Sequence, residues 1–264
     1  MALTLYLIKL LLYSIIPGVL YTFLLYLSTP YKSWDVKVAF KYFKSGIFTV
    51  ILLLFLYKMF PSLVGVYGET MIGHIFILAF IQAGLFEEFT KFLNYKIARW
   101  FINPIDKRNH PLSMMVYSGI VGLGFASVEN ISYGLYGGLD VLVIRAVTSV
   151  ILHMTCGFII GYWVSLADND YKFRTNPTHR LETLSIIDIV VMSRPKLRKI
   201  SYSVIGILMA TFFHGLYDFN IMVISGSDDV YVHNISMTIT AIILIFLVYL
   251  SKKMANHLVK LSIS

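Results

Sequence analysis

Runs of apolar residues, each long enough to cross a bilayer, follow one another along almost the whole chain and are separated by shorter polar stretches. Hydropathy places them at residues 3–27, 46–66, 71–92, 112–136, 141–166, 200–224 and 235–250. The pattern predicts an all-α, polytopic integral membrane protein of about seven transmembrane helices. No stretch between the runs has the length or polarity of a soluble domain, so one membrane-embedded domain covering 1–264 is expected. The first run begins almost at Met1, lacks a basic leading region and meets no small-x-small site before Ser28, Thr29 and Pro30, which predicts a retained first span.

Composition agrees with a lipid environment. Of 264 residues, 58% are hydrophobic and 14% charged, with a mean hydropathy of +0.75, whereas a soluble domain carries roughly a quarter charged residues. The formal charge of +8 is distributed by connection. The first connection holds Lys32, Lys37, Lys41 and Lys44, the third Lys96, Arg99, Lys107 and Arg108, and the fifth seven basic residues between Lys172 and Lys199. The C-terminus adds Lys252, Lys253 and Lys260, while the even connections carry Glu69, Asp140, Asp228 and Asp229, with Lys58 as the basic exception. The positive-inside rule then puts the N-terminus outside and the C-terminus in the cytoplasm, in the cell membrane. The excess is read as topology plus attraction to anionic headgroups rather than nucleic-acid binding, because no basic stretch is interleaved with aromatics in a polar domain. In the long fifth connection, Leu181, Leu184, Ile186, Ile187, Ile189 and Val190 predict a segment lying along the cytoplasmic interface. The single cysteine, Cys156, builds no disulfide or CxxC pair within one chain and reads as an ordinary small membrane residue.

Glu87, Glu88, Lys91, Glu129, Arg145, His153, His214 and Asp218 lie inside or near the spans. A charged group facing lipid at mid-span costs roughly 3 kcal/mol, so such residues turn toward protein or a water cavity. Their spacings are helical. Glu87 and Lys91 are four apart with the acid first, the favourable order for an ion pair, and Glu88 points about 100° away, which predicts different tasks for the two glutamates. Phe125 and Glu129 share a face, and Gly122 with Ala126 forms a small-xxx-small strip for close helix approach. His214 and Asp218 are again four apart, a spacing by which a carboxylate orients an imidazole. Arg145, Ser149 and His153 follow at steps of four, giving His153 polar company. Taken singly, each has a plainer explanation: a buried His or Glu can simply be hydrogen-bonded packing, Glu87 and Lys91 a helix-interface salt bridge, Phe125 core. Convergence across the third to sixth spans favours a polar site there. Depth is the difficulty. Counted at ~1.5 Å per residue, Glu87 and Glu129 miss each other across a bilayer core about 30 Å thick unless both spans slide toward their C-termini.

The order E-E-x-x-K (Glu87, Glu88, Lys91), F-x-x-x-E-N (Phe125, Glu129, Asn130), a histidine in the next span (His153) and H-x-x-x-D (His214, Asp218) resembles the PrsW intramembrane proteases. These are similar in turn to the group containing the CAAX-prenyl endopeptidases and bacteriocin-processing enzymes. The motif-bearing core covers about 71–224. The resemblance implies an endopeptidase acting on a membrane-associated, single-span substrate such as an anti-sigma factor, with Glu87, Glu88, Glu129, His153, His214 and Asp218 as catalytic candidates and Lys91, Phe125, Asn130 and Arg145 supporting them. Two mechanisms stay open. In one, no metal is needed: Glu87 is the general base, His153 shares the water, His214 supports the oxyanion and Asp218 orients it. In the other, Glu129, His153 and His214 hold Zn²⁺ with Glu87 as base; the chain has no HExxH to decide the matter. A proton- or ion-coupled transporter would also place acids and histidines at mid-membrane, but no inverted repeat is visible. A non-catalytic scaffold would explain the small-residue strip and leave the carboxylates without a task.

The charge alternation predicts that a reporter fused after Ser264, or inserted near Asn176, signals cytoplasm, and that one near Gly226 signals the exterior. Reversed signals at the two internal sites would overturn the orientation.

Overall fold

The computed structural model describes residues 2–29, 34–60, 70–102, 110–175, 195–225 and 229–263. The regular structure among these residues is helical: α1 (Ala2–Ser28), α2 (Val36–Met59), α3 (Met71–Ile102), α4 (Pro111–Gly137), α5 (Leu139–Val147), α6 (Ser149–Thr175), α7 (Pro195–Ser225) and α8 (Val230–Ile263). With α5 and α6 forming one crossing, seven segments are long and apolar enough to span a bilayer, and the chain is a multi-pass integral membrane protein.

Several ends depart from the hydropathy reading for identifiable reasons. α2 starts well before residue 46 because Asp35 caps it, its Oδ1 accepting from the amides of Lys37 at 2.7 Å and Val38 at 3.2 Å. Lys37, Lys41 and Lys44, which read as a loop, occupy an exposed helical face while Ala39, Tyr42 and Phe43 are buried. α3 runs past residue 92 because its basic end has a partner. Arg99 pairs with Asp168 of α6, and Lys96 and Lys199 approach the same carboxylate at 3.8 Å each, tying α3, α6 and α7 together. Gly138, at φ 81°, lets α4 turn directly into α5. The fifth span is broken at Thr148 (φ −119°, ψ −81°), so Arg145, Ser149 and His153 do not form one continuous helical stripe. The segment containing Leu181 to Val190, and the positions near Asn176 and Gly226, lie outside the described residues.

α4 is the axis of the bundle. It is buried along nearly all its apolar length and packs against α1, α2 and α6. Glycines make the contact close: a Cβ on Gly124 would strike the Phe43 carbonyl of α2, and one on Gly122 would strike the carbonyl of His153 on α6. The expected strip at Gly122 therefore touches the backbone of a candidate site residue. Gly119 meets the Phe158 ring on the same side. Gly122→Val should separate α4 from α6 and lower stability by roughly 1–3 kcal/mol, the usual cost of overpacking. Thermal unfolding in detergent measures this, and an unchanged midpoint would show that the interface tolerates the side chain.

Candidate active site

Glu87, Glu88 and Lys91 stand at the start of the α-helical half of α3, immediately after a π-helical stretch, Ile77–Leu85. A π turn accommodates an extra residue and so resets the facing of everything after it. The widened backbone is held from two sides. The Tyr57 hydroxyl on α2 donates to the Gln82 carbonyl at 2.9 Å, and Gly84 allows close approach to the Thr211 carbonyl on α7. From this base all three charged side chains turn into the bundle.

Lys91 is the hub. Its Nζ lies 2.8 Å from Glu88 Oε1, 3.3 Å from Glu87 Oε2 and 2.8 Å from His153 Nδ1, beneath the Phe125 ring at 4.1 Å from the centroid. Helical spacing predicts Glu87 as its partner. The structure gives it both glutamates with Glu88 the nearer, because a long flexible stem lets one ammonium bridge the i−3 and i−4 positions.

Each histidine is held by a carboxylate. His153 Nε2 is 2.7 Å from Glu129 Oε2; that oxygen also accepts from Arg145 Nη2 at 2.6 Å, while Arg145 Nε donates to Asn130 Oδ1 at 2.7 Å and the guanidinium lies over the Tyr133 ring at 3.6 Å. His214 Nδ1 is 2.7 Å from Glu88 Oε1, and its Nε2 faces Asp218 Oδ2 at 3.3 Å and Glu87 Oε2 at 3.8 Å. The two rings meet edge to face, 5.0 Å between centroids. Partners assign the tautomers: Lys91 can only donate, so His153 accepts at Nδ1 and gives its Nε2 hydrogen to Glu129, and His214 gives its Nδ1 hydrogen to Glu88.

All ten residues singled out in the sequence are thus brought into one network. Glu87, Glu88 and Lys91 come from α3, Phe125, Glu129 and Asn130 from α4, Arg145 from α5, His153 from α6, and His214 and Asp218 from α7. Of the two spans expected to shift, only α3 runs on past its expected end, to Ile102, while α4 keeps its bounds; Glu87 and Glu129 are nonetheless joined through Lys91 and His153. His214 has a nearer carboxylate than the expected Asp218, namely Glu88. Tyr57, Tyr133 and Tyr217, whose hydroxyl donates to Thr148 Oγ1 at 3.0 Å across the helix break, carry no distinguishing sequence signal. Their roles come from tertiary proximity alone.

Glu87, His153 and His214 present ligand atoms that all lie within 4.8 Å of one another. This trio shares its two histidines with the set expected from sequence, but Glu87 stands where Glu129 was expected, since Glu129 is engaged by His153 and Arg145. One carboxylate and two imidazoles are donors suited to a hydrolytic zinc site, so residue types and spacing fit a divalent metal. Exposure separates the acids. The side chain of Glu88 is fully buried and that of Glu87 is 10% exposed, while those of Glu129 and Asp218 are 19% and 20% exposed. Glu87 is the one carboxylate of the trio and stands 3.8 Å from His214 Nε2.

Comparison with known proteins bears on the same residues. The profile of a family described as PrsW family intramembrane metalloprotease matches residues 34–250, most of the chain. Curated relatives include Protease PrsW of Geobacillus kaustophilus, 28% identical over 161 residues (61% of this chain, 68% of the relative), and Protease PrsW of Oceanobacillus iheyensis, 36% identical over 113 residues (43% and 49%). Protease PrsW of Bacillus subtilis is 28% identical over 159 residues (58% and 66%). The matched stretches span about half to two thirds of the lengths of these relatives. No solved structure matches the chain.

Proposed function

Since the chain belongs to the PrsW family of intramembrane metalloproteases, we propose that it hydrolyses a peptide bond of a single-span membrane protein, with Glu87 as the water-activating base. Membership of a protease family together with the buried Glu87, His153 and His214 cluster makes it a hydrolase of the protease class. The substrate proposed is of the anti-sigma-factor kind. Basic connections and C-terminus support an orientation in the cell membrane with the N-terminus outside and the C-terminus cytoplasmic.

The observation carrying this reading is the division of labour among the carboxylates. Glu88 and Glu129 are each occupied in holding a histidine, and Glu87 is the carboxylate that lies with both imidazoles in the buried trio without a short bond to either. In the reaction, Glu87 accepts a proton from a water whose oxygen attacks the substrate carbonyl carbon. His214 donates through Nδ1 to Glu88 and carries a second hydrogen on Nε2, which faces the Asp218 and Glu87 carboxylates and turns toward the developing oxyanion, while His153, held through Nε2 by Glu129, shares the water through Nδ1 once Lys91 has released that nitrogen. As the C–N bond breaks, protonated Glu87 returns its proton to the leaving amine, leaving a carboxylate and an amine as products. Lys91 compensates the charge of the two adjacent glutamates, and Arg145 holds Glu129 in place. Were Glu87, His153 and His214 to hold a divalent ion such as Zn²⁺, Glu87 would serve as a ligand in place of acting as the free base, and the ion would supply polarisation of the carbonyl and a more acidic water.

The test is cleavage of a candidate single-span substrate in cells expressing the wild type or variants. Glu87→Gln keeps shape and should lose at least about 10²-fold in turnover while eluting normally in detergent gel filtration. Glu88→Gln should lose less turnover and more thermal stability, because it weakens the grip on both Lys91 and His214. Asp218→Asn should be the mildest of the three, since His214 retains Glu88. A fully active Glu87→Gln beside a dead, well-folded Glu88→Gln would reverse the assignment of the base, and full activity in both would remove the peptidase reading.

A further inference from the structure

Lys91 sits where the metal question is decided. Its side chain is 2% exposed, and its three N–H bonds have three acceptors: Glu88 Oε1 at 2.8 Å, His153 Nδ1 at 2.8 Å and Glu87 Oε2 at 3.3 Å. An ammonium has three donors and no acceptor, so its capacity is fully used. The Phe125 ring caps the remaining side at 4.1 Å, a further attraction for a cation. Two of those three acceptors, Glu87 and His153, also belong to the trio that fits a metal ion. A lone pair engaged by an N–H is withdrawn from a metal, and an ammonium bonded to two of the three ligand side chains would repel a second cation placed among them. The other nitrogen of His153 offers no alternative, because it gives its hydrogen to Glu129, which Arg145 fixes from the far side.

We propose that Lys91 acts as a built-in cation of the site, occupying the donors of Glu87 and His153 in alternation with a divalent metal ion, so that metal loading requires the ammonium to withdraw. This rests on reading Glu87, His153 and His214 as the reactive centre. The withdrawal has a destination. Glu88 is already the nearest carboxylate to Lys91, is not a member of the trio, and its second oxygen, Oε2, is buried with no hydrogen-bond partner among the described residues. Lys91 can release Glu87 and His153 while remaining paired with Glu88, so no uncompensated charge is left in the bundle during the exchange. Lys91 is thereby a positioning residue that sets the metal affinity of the site without being one of its ligands.

The experiment uses the full-length protein purified in detergent and reads metal binding directly: Co²⁺ absorption in the visible, and Zn²⁺ affinity by competition with a chromophoric chelator. Lys91→Met removes the charge and roughly keeps the stem, and should bind one ion per chain at least about tenfold tighter than wild type. Lys91→Arg retains the charge and should show no such gain. Zinc should also raise the melting temperature of Lys91→Met more than that of wild type, as linkage requires of the tighter binder. If Lys91→Met is recovered as a monodisperse protein only from zinc-supplemented cells and with the ion bound, the exchange is equally supported. Equal or weaker binding by Lys91→Met, or aggregation of that variant with and without zinc, overturns it. None of these readouts involves cleavage, so an absent peptidase activity and an absent cation exchange are distinguishable.

Discussion

A lysine and four carboxylates in the middle of a lipid-embedded bundle set the terms for everything around them. Each charge left alone in such a place costs several kcal/mol, and burial becomes tolerable only when every group has a partner of the right kind. The network supplies those partners in a chain that can be followed atom by atom. Arg145 holds Glu129, Glu129 holds His153, His153 accepts from Lys91, Lys91 bridges Glu87 and Glu88, Glu88 holds His214, and His214 faces Asp218. The links pass through α5, α4, α6, α3 and α7, so the polar chain also clamps the helices together. Removing a member in the middle leaves neighbours on two helices without compensation, so Lys91 and Glu88 hold the bundle together as well as the site.

Hydrogen bonds of 2.6 to 2.8 Å between different helices require backbones at close approach, and the packing provides it on two sides of α4. Gly124 receives the Phe43 carbonyl from α2, and Gly122 receives that of His153 from α6. Between helices in lipid there is no hydrophobic drive toward association, so close backbone packing and interhelical polar bonds are the available forces. Here they coincide at one residue. His153 is fixed through its backbone by a glycine and through its ring by Glu129 and Lys91. An imidazole held at both ends has little rotational freedom left, which is the condition for a preorganised site.

The seven crossings and the ten residues of the network are legible in the sequence, because hydropathy reports lipid contact and an ionisable residue within a span is conspicuous. The pairings are less so. Assigning Lys91 to Glu87 treats the helix as an ideal cylinder and the side chain as a pointer, whereas the long stem spans both glutamates. The break at Thr148 has no proline or glycine beside it to announce it, and the π-helical stretch before Glu87 carries only Gly84, which in the sequence reads as one more small residue of an apolar span. Charge also misleads at the span ends. Lys37, Lys41, Lys44, Lys96 and Arg99 look like loop residues but belong to helices that run on past the apolar core, with Arg99 meeting Asp168 from α6.

Two adjacent glutamates that differ in what they touch give the site its asymmetry. Glu88 shares one oxygen between Lys91 and His214 and is sealed from solvent, so neutralising it would weaken two short charge-assisted bonds at once. Glu87 meets Lys91 at the longer distance of 3.3 Å, stands 3.8 Å from the His214 ring and keeps a little exposure, so a proton can arrive on it and leave it with less disturbance to the network. A general base has to change its protonation state in every turnover, while the group that orients an imidazole has to keep its bonds throughout. The strongly bonded carboxylate stands behind His214 and the loosely bonded one beside it, so the two requirements fall on different residues within a single turn of α3.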